Sequence, residues 1–162
     1  QRDFGESYLQ EALTKIDASE QGDIVWHFIG PIQSNKTKSI AENFSWVHSV
    51  ERLKIARRLS AQRPEHLPPL NICVQINISQ EKQKSGFSTV EIEGSIEEIS
   101  QLAHLSLRGL MAIPKPTSDP EQQKVAFRQL NKLMQQLNRQ FNLTMDTLSM
   151  GMSNDLEAAI AE

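Results

Sequence analysis

The chain has 162 residues, with 17 Lys plus Arg against 20 Asp plus Glu, giving a formal net charge of −3. That length suits one domain able to bury a core without disulfides or metals, 38% hydrophobic and 23% charged residues exclude a disordered chain, and the slight acidity argues against binding duplex nucleic acid. The lone Cys73 excludes an internal disulfide and a cysteine zinc cage, while the lack of any apolar run near ~18–20 residues and of a secretory start points to a soluble protein of the reducing cytoplasm.

Ser7–Ile16 places Leu9, Leu13 and Ile16 on one helical face, with Ser7 as the expected cap. Val25–Ile29 is a short β-rich run ended by Gly30 and Pro31, and Ser34–Asn43 reads as a helix with a polar first turn. Trp46–Val50 is a second strand; Glu51–Arg63 is a helix with Leu53, Ile55, Ala56 and Leu59 inward, stopped by Pro64. Leu70–Ile78 is the clearest strand, followed by a polar loop through Lys82, Lys84 and Gly86. Ser95–His104 is helical, Leu107–Ile113 is a strand stopped by prolines, and Asp119–Pro120 opens a long helix whose apolar side runs from Val125 and Phe127 to Leu137 and Phe141. Asp146–Met150 is the last strand, and Gly151 leads into a final helix. Leu156–Glu162 carries no stop signal, so the chain reads as cut within a helix.

Strands alternate with helices at least five times, the pattern of a parallel sheet with helical crossovers. An open doubly wound sheet and a barrel both satisfy it. In the long strand, Ile72, Val74, Ile76 and Ile78 point one way and Cys73, Gln75 and Asn77 the other. A sheet covered by helices on both faces wants both sets apolar, whereas a polar second set suits a barrel interior near its mouth. The expected fold is therefore α/β, a parallel (β/α)8 TIM-type barrel. A full barrel takes about 250 residues, so this one is expected to be incomplete.

Ligands of such barrels bind at the loops after the strands, here Gly30–Asn35, Ser79–Ser88, Pro114–Asp119 and Gly151–Asp155. In the last, Gly151 permits a tight turn, Ser153 or Asn154 is the expected N-cap, and Glu157 completes a capping box with Asn154. Backbone amides there suit a phosphate, while Asp155 and Glu157 would oppose it. Lys36 and Lys38 can meet an anion or simply solvate the first turn of their helix. His27 and His48 are candidates for proton transfer, set against a packed, hydrogen-bonded role within short strands. No His/Cys spacing fits a metal, and neither a nucleophile elbow nor a phosphate-binding P-loop occurs.

Phe4-Gly-Glu-Ser-Tyr8, Trp26-His-Phe-Ile-Gly-Pro-Ile-Gln-Ser-Asn-Lys36, Gln75-Ile-Asn-Ile78, Lys84-Ser-Gly86, Arg108-Gly-Leu-Met-Ala-Ile-Pro114 and Leu148-Ser-Met-Gly-Met-Ser-Asn-Asp155 follow in this order. Together they closely resemble the pyridoxal phosphate homeostasis protein family, from end to end of the chain. The resemblance implies a single barrel domain over residues 1–162, like the N-terminal domain of alanine racemase. It implies pyridoxal 5′-phosphate (PLP) as cofactor and a role in intracellular vitamin B6 and amino-acid homeostasis. It also implies a monomeric, non-catalytic carrier or regulator that serves PLP-dependent apoenzymes; the alternative is a racemase-like PLP enzyme. The family's Schiff-base lysine precedes the Phe-Gly-Glu motif and its last strand follows the final helix, so both are expected to lie outside this sequence. Carried over are Ser149, Gly151, Met152 and Ser153, which border the cofactor and its phosphate. Ser7 stands where the family carries Asn and offers one hydroxyl in place of an amide.

Overall fold

The structure is a computed structural model that describes residues 1–19, 22–81 and 83–162. Among these residues six strands form one sheet: β1 (Asp3–Glu6), β2 (Val25–Phe28), β3 (Trp46–Val50), β4 (Leu70–Gln75), β5 (Leu105–Met111) and β6 (Thr147–Ser149). Between and after them run α1 (Leu9–Ala18), α2 (Thr37–Asn43), α3 (Leu53–Gln62), α4 (Thr89–Glu93), α5 (Ile96–Gln101), α6 (Pro120–Phe141) and α7 (Leu156–Ala161). Every neighbouring pair is parallel, and the sheet order is the chain order, β1-β2-β3-β4-β5-β6. A doubly wound sheet reverses its order at a switch point and takes helices on both faces. Unbroken sequential order with crossovers of one hand keeps all helices on one face, which is how a barrel is wound.

The two faces differ as that winding requires. Phe28, Val47, Ile72, Val74 and Leu110 are buried against the helices, joined by Ile40, Ile55, Leu59, Ile92, Ile99, Leu130 and Leu137. The opposite face carries His27, Trp46, His48, Asn71, Cys73, Arg108 and Ser149. Side chains meet across it: the His48 ring (β3) reaches Ser149 Oγ (β6) at 2.7 Å, and the Arg108 guanidinium (β5) lies 4.9 Å from the centre of the Trp46 ring (β3). In a flat sheet β3 and β6 would stand about 14 Å apart, so the sheet curls into a trough, an unclosed barrel wall with a polar interior.

Local differences from the sequence expectations have physical causes. Asp3–Glu6 forms a strand, paired with β2 from Asp3↔Val25 to Glu6↔Phe28, although four residues with a central glycine carry little β signal. Ser7 is not the cap of α1: Tyr8 holds that position and its carbonyl takes the first helical bond, from Ala12. Ser7 instead belongs to the link after β1, where its carbonyl lies so close to Gly30 that a Cβ there would sit 2.0 Å away. The helix expected from Ser34 begins at Thr37, after a turn. Residues 89–93, left unassigned by periodicity, form α4, with a complete capping box between Ser88 and Glu91. At α7 neither Ser153 nor Asn154 is the cap: Asp155 is, and no side-chain cap bond forms. Asp155 turns its carboxylate back onto the Met152 amide at 2.5 Å, which closes the preceding turn. Among the described residues, no helix is long and apolar enough to cross a membrane.

Candidate functional site

The trough is polar in two layers. Near the strand starts, Arg108 makes a two-pronged contact with Asp146, at 3.1 and 2.6 Å, and donates to Asn71 Oδ1 at 3.2 Å. The Asp146 carboxyl is held below its ordinary range, chiefly by the hydrogen bonds from Arg108. Trp46 packs between this guanidinium and His27, whose ring stacks on it at 5.4 Å and 6°. Neighbouring Cys73 is fully buried, and burial pushes its thiol up to about 12, so it is an inert wall residue.

A single hydrogen-bonded chain starts beside this layer and crosses four strands. Asp3 Oδ1 lies 3.1 Å from His27 Nε2; His27 Nδ1 lies 2.9 Å from His48 Nε2; His48 Nδ1 lies 2.7 Å from Ser149 Oγ. Burial, and then the proximity of His27, lower the His48 pKa to about 4, so its ring is neutral near pH 7. The sequence pointed to both histidines singly. Their coupling to Asp3 and Ser149 was missed, because the links span 24, 21 and 101 positions. Its faint sequence signal is a polar ring inside two β-rich runs, between Trp26 and Phe28 in one and after Val47 in the other.

The loop after β6 continues from Ser149. Gly151 has φ +90°, and a Cβ on it would meet Ala159 Cβ at 2.8 Å, so both backbone and space demand glycine. The Met152 amide is committed to Asp155. The amides of Gly151, Ser153 and Asn154 donate to no protein acceptor among the described residues. Met152 and Ser153 border a second space, a cleft of about 1140 Å³ between α6, α7 and the Pro114–Ser118 segment. The expected site residues are thus split. Ser149 faces the trough, Gly151 shapes the turn, and Met152 and Ser153 lie at the rim toward the cleft. Ser7 stands exposed after β1, and no contact among the described residues joins it to Ser149 or the loop.

The basic candidates are placed away from this chain. Lys38 pairs with Glu42 on α2. Lys84 pairs with Glu81 at 2.9 Å and donates to the Ile113 carbonyl. Asn77 pins the polar loop around it by bonding Glu81 and Lys84 backbone groups. Lys82 lies outside the described residues. No cluster of three metal-ligating side chains occurs among the described residues.

The alanine racemase N-terminal domain family matches residues 1–162. The pyridoxal phosphate homeostasis protein of Pseudomonas aeruginosa is 58% identical over 161 residues, covering 99% of this chain and 68% of its own length. That of Escherichia coli K12 is 48% identical over 164 residues, covering 99% and 70%. Among solved structures, PipY of Synechococcus elongatus superposes at TM-score 0.92 without PLP and 0.89 with PLP bound, at 32% identity over 99% of this chain and 76% of PipY. Alanine racemase of Clostridium difficile matches at TM-score 0.76 and 13% identity over 95% of this chain and 40% of the racemase, a likeness of fold. A sequentially wound, unclosed parallel barrel wall and these matches over its whole length agree: the chain belongs to the pyridoxal phosphate homeostasis protein family.

Proposed function

We propose that this protein binds pyridoxal 5′-phosphate at the C-terminal end of the trough and serves intracellular vitamin B6 and amino-acid homeostasis. On this reading it holds and releases the cofactor without turning over a substrate. The observation that carries the proposal is the polar, concave face that ends in the Ser149–Ser153 loop, in a chain superposing on PLP-bound PipY over 99% of its length. The residues fit the group. Amides of Gly151 and Ser153 are unpaired donors for a phosphate, and Ser149 faces the ring side. Asp155 limits the anion site by keeping the Met152 amide for itself. Ser7, on the rim after β1, is proposed as a minor polar contact. When bound, the cofactor supplies an electrophilic aldehyde; this chain's part is to orient it and keep its ring out of water.

Residues 1–162 act in this proposal as one binding domain, monomeric and cytoplasmic, whose partners are PLP-dependent apoenzymes. The names of the relatives support a carrier over an enzyme. The racemase-like fold supports the second reading, a PLP enzyme acting on amino acids; steady turnover of an amino acid would establish it. The site itself is tested by titrating the 15N-labelled protein with PLP. Saturable amide shifts at Ser149, Gly151 and Ser153 are expected. Shifts confined to lysine-bearing surfaces such as Lys36 and Lys84 would overturn the assignment.

A further inference from the structure

We propose that His48 is a positioning residue for the cofactor loop: its bond to Ser149 straps the end of β6 across the trough and so seats the amides of Gly151 and Ser153. The inference rests on the cofactor reading above and deepens it. β6 is three residues long and, among the described residues, pairs with β5 alone. At its end the Ser149 carbonyl accepts from the Ala112 amide at 3.1 Å. The contact of the His48 ring with Ser149 Oγ, at 2.7 Å, is the one hydrogen bond among the described residues that ties β6 to a strand other than β5. A serine hydroxyl both donates and accepts, and Nδ1 of a neutral imidazole does one or the other according to tautomer. The strap therefore forms whichever way the proton lies.

The far end of the strap is firmly held. β3 is paired on both sides, with β2 and β4, and Val47, Ser49 and Val50 around His48 are buried. Ser49, on the opposite face of the strand, donates to the Gly30 carbonyl. The His48 ring is backed by His27, 2.9 Å away between nitrogens, and by Trp46, 5.7 Å away between ring centres. A short strand with one partner opens at a lower free energy than a buried, doubly paired one, so the bond ties the weaker end to the stronger. Gly151 follows two residues after Ser149, at φ +90° and with no room for a Cβ. A turn so constrained passes a displacement of Ser149 on to the amides beyond it. His48 thus acts on the anion site through Ser149.

The test uses the full-length protein, with PLP and pyridoxal, the same ring without the phosphate, as probes. Ser149→Ala and His48→Phe should each raise the PLP Kd roughly 3- to 10-fold, the worth of one hydrogen bond. The double variant should bind no more weakly than either single one, because both remove the same strap. His48→Asn, which keeps a polar atom close to the place of Nδ1, should restore PLP binding. Pyridoxal affinity should stay unchanged in all of them, since the strap serves the phosphate. In ligand-free Ser149→Ala the Ala112 amide should exchange with solvent faster, while the amides of β4 keep their rates. PLP affinity unchanged in Ser149→Ala, losses that add in the double variant, a pyridoxal affinity that falls as far as that of PLP, or unchanged exchange at Ala112 overturns the strap. No saturable PLP binding by the wild type sinks the cofactor reading instead, and exchange at Ala112 then decides the strap by itself.

Discussion

Acidification should destabilise this protein through His48. Its ring titrates near 6.5 in an unfolded chain and at about 4 in the fold, because burial and then His27 disfavour the charged form. Between those values the unfolded chain binds a proton that the folded one refuses. Stability is therefore fully present above pH 6.5 and is lost as pH falls toward 4. Each pH unit inside the window is worth about 1.4 kcal/mol, and integrating from pH 7.5 to pH 5 gives a loss of about 2 kcal/mol. In a chain of this size that lowers Tm by about 4–8 °C. The assay is urea unfolding at pH 7.5, 6 and 5 for the wild type and for His48→Gln, whose amide keeps one donor and one acceptor but cannot titrate. The wild type should lose about 2 kcal/mol more than the variant over that range. Parallel pH profiles would refute a neutral, buried His48.

Three further outcomes follow from the packing. Arg63 is buried and donates to the carbonyls of Ala41, Phe44 and Pro68 at 2.6, 2.8 and 2.9 Å; Arg63→Met orphans all three and should cost about 3 kcal/mol or more in urea unfolding, and a loss under 1 kcal/mol would contradict this staple. Gly109 meets β6 so closely that a Cβ would lie 1.7 Å from the Thr147 carbonyl oxygen; Gly109→Ala should destabilise by about 1–3 kcal/mol and speed amide exchange in β5 and β6. The Cys73 thiol, pushed up to about 12 by burial, should resist iodoacetamide at pH 8 in the native protein and react after unfolding in urea; rapid native labelling would place Cys73 outside the core.

Alternation along β4 was enough to choose a barrel over an open sheet: Ile72 and Val74 pack on helices while Cys73 and Gln75 face the trough. Long periodic segments such as α6, opened by Asp119 and Pro120, were equally legible. Short ones were not. α4 shows only its capping box, Ser88 and Glu91, and β1 is four residues around a glycine. In the site, Gly151 was legible because a glycine between strand and helix has few other uses. The cap at α7 was misread because Asp155 spends its carboxylate on the Met152 amide, a choice made by the turn and invisible to spacing rules. Asp3–His27–His48–Ser149 is a product of curvature, since only a curled sheet brings β6 onto β3.

A crystal structure of the protein grown with PLP tests the central claim most directly. The account predicts cofactor density in the trough, its phosphate on the amides of Gly151 and Ser153 and its ring beside Ser149. Density only in the cleft between α6 and α7, or only on surface lysines such as Lys36, with the trough filled by water, would contradict it.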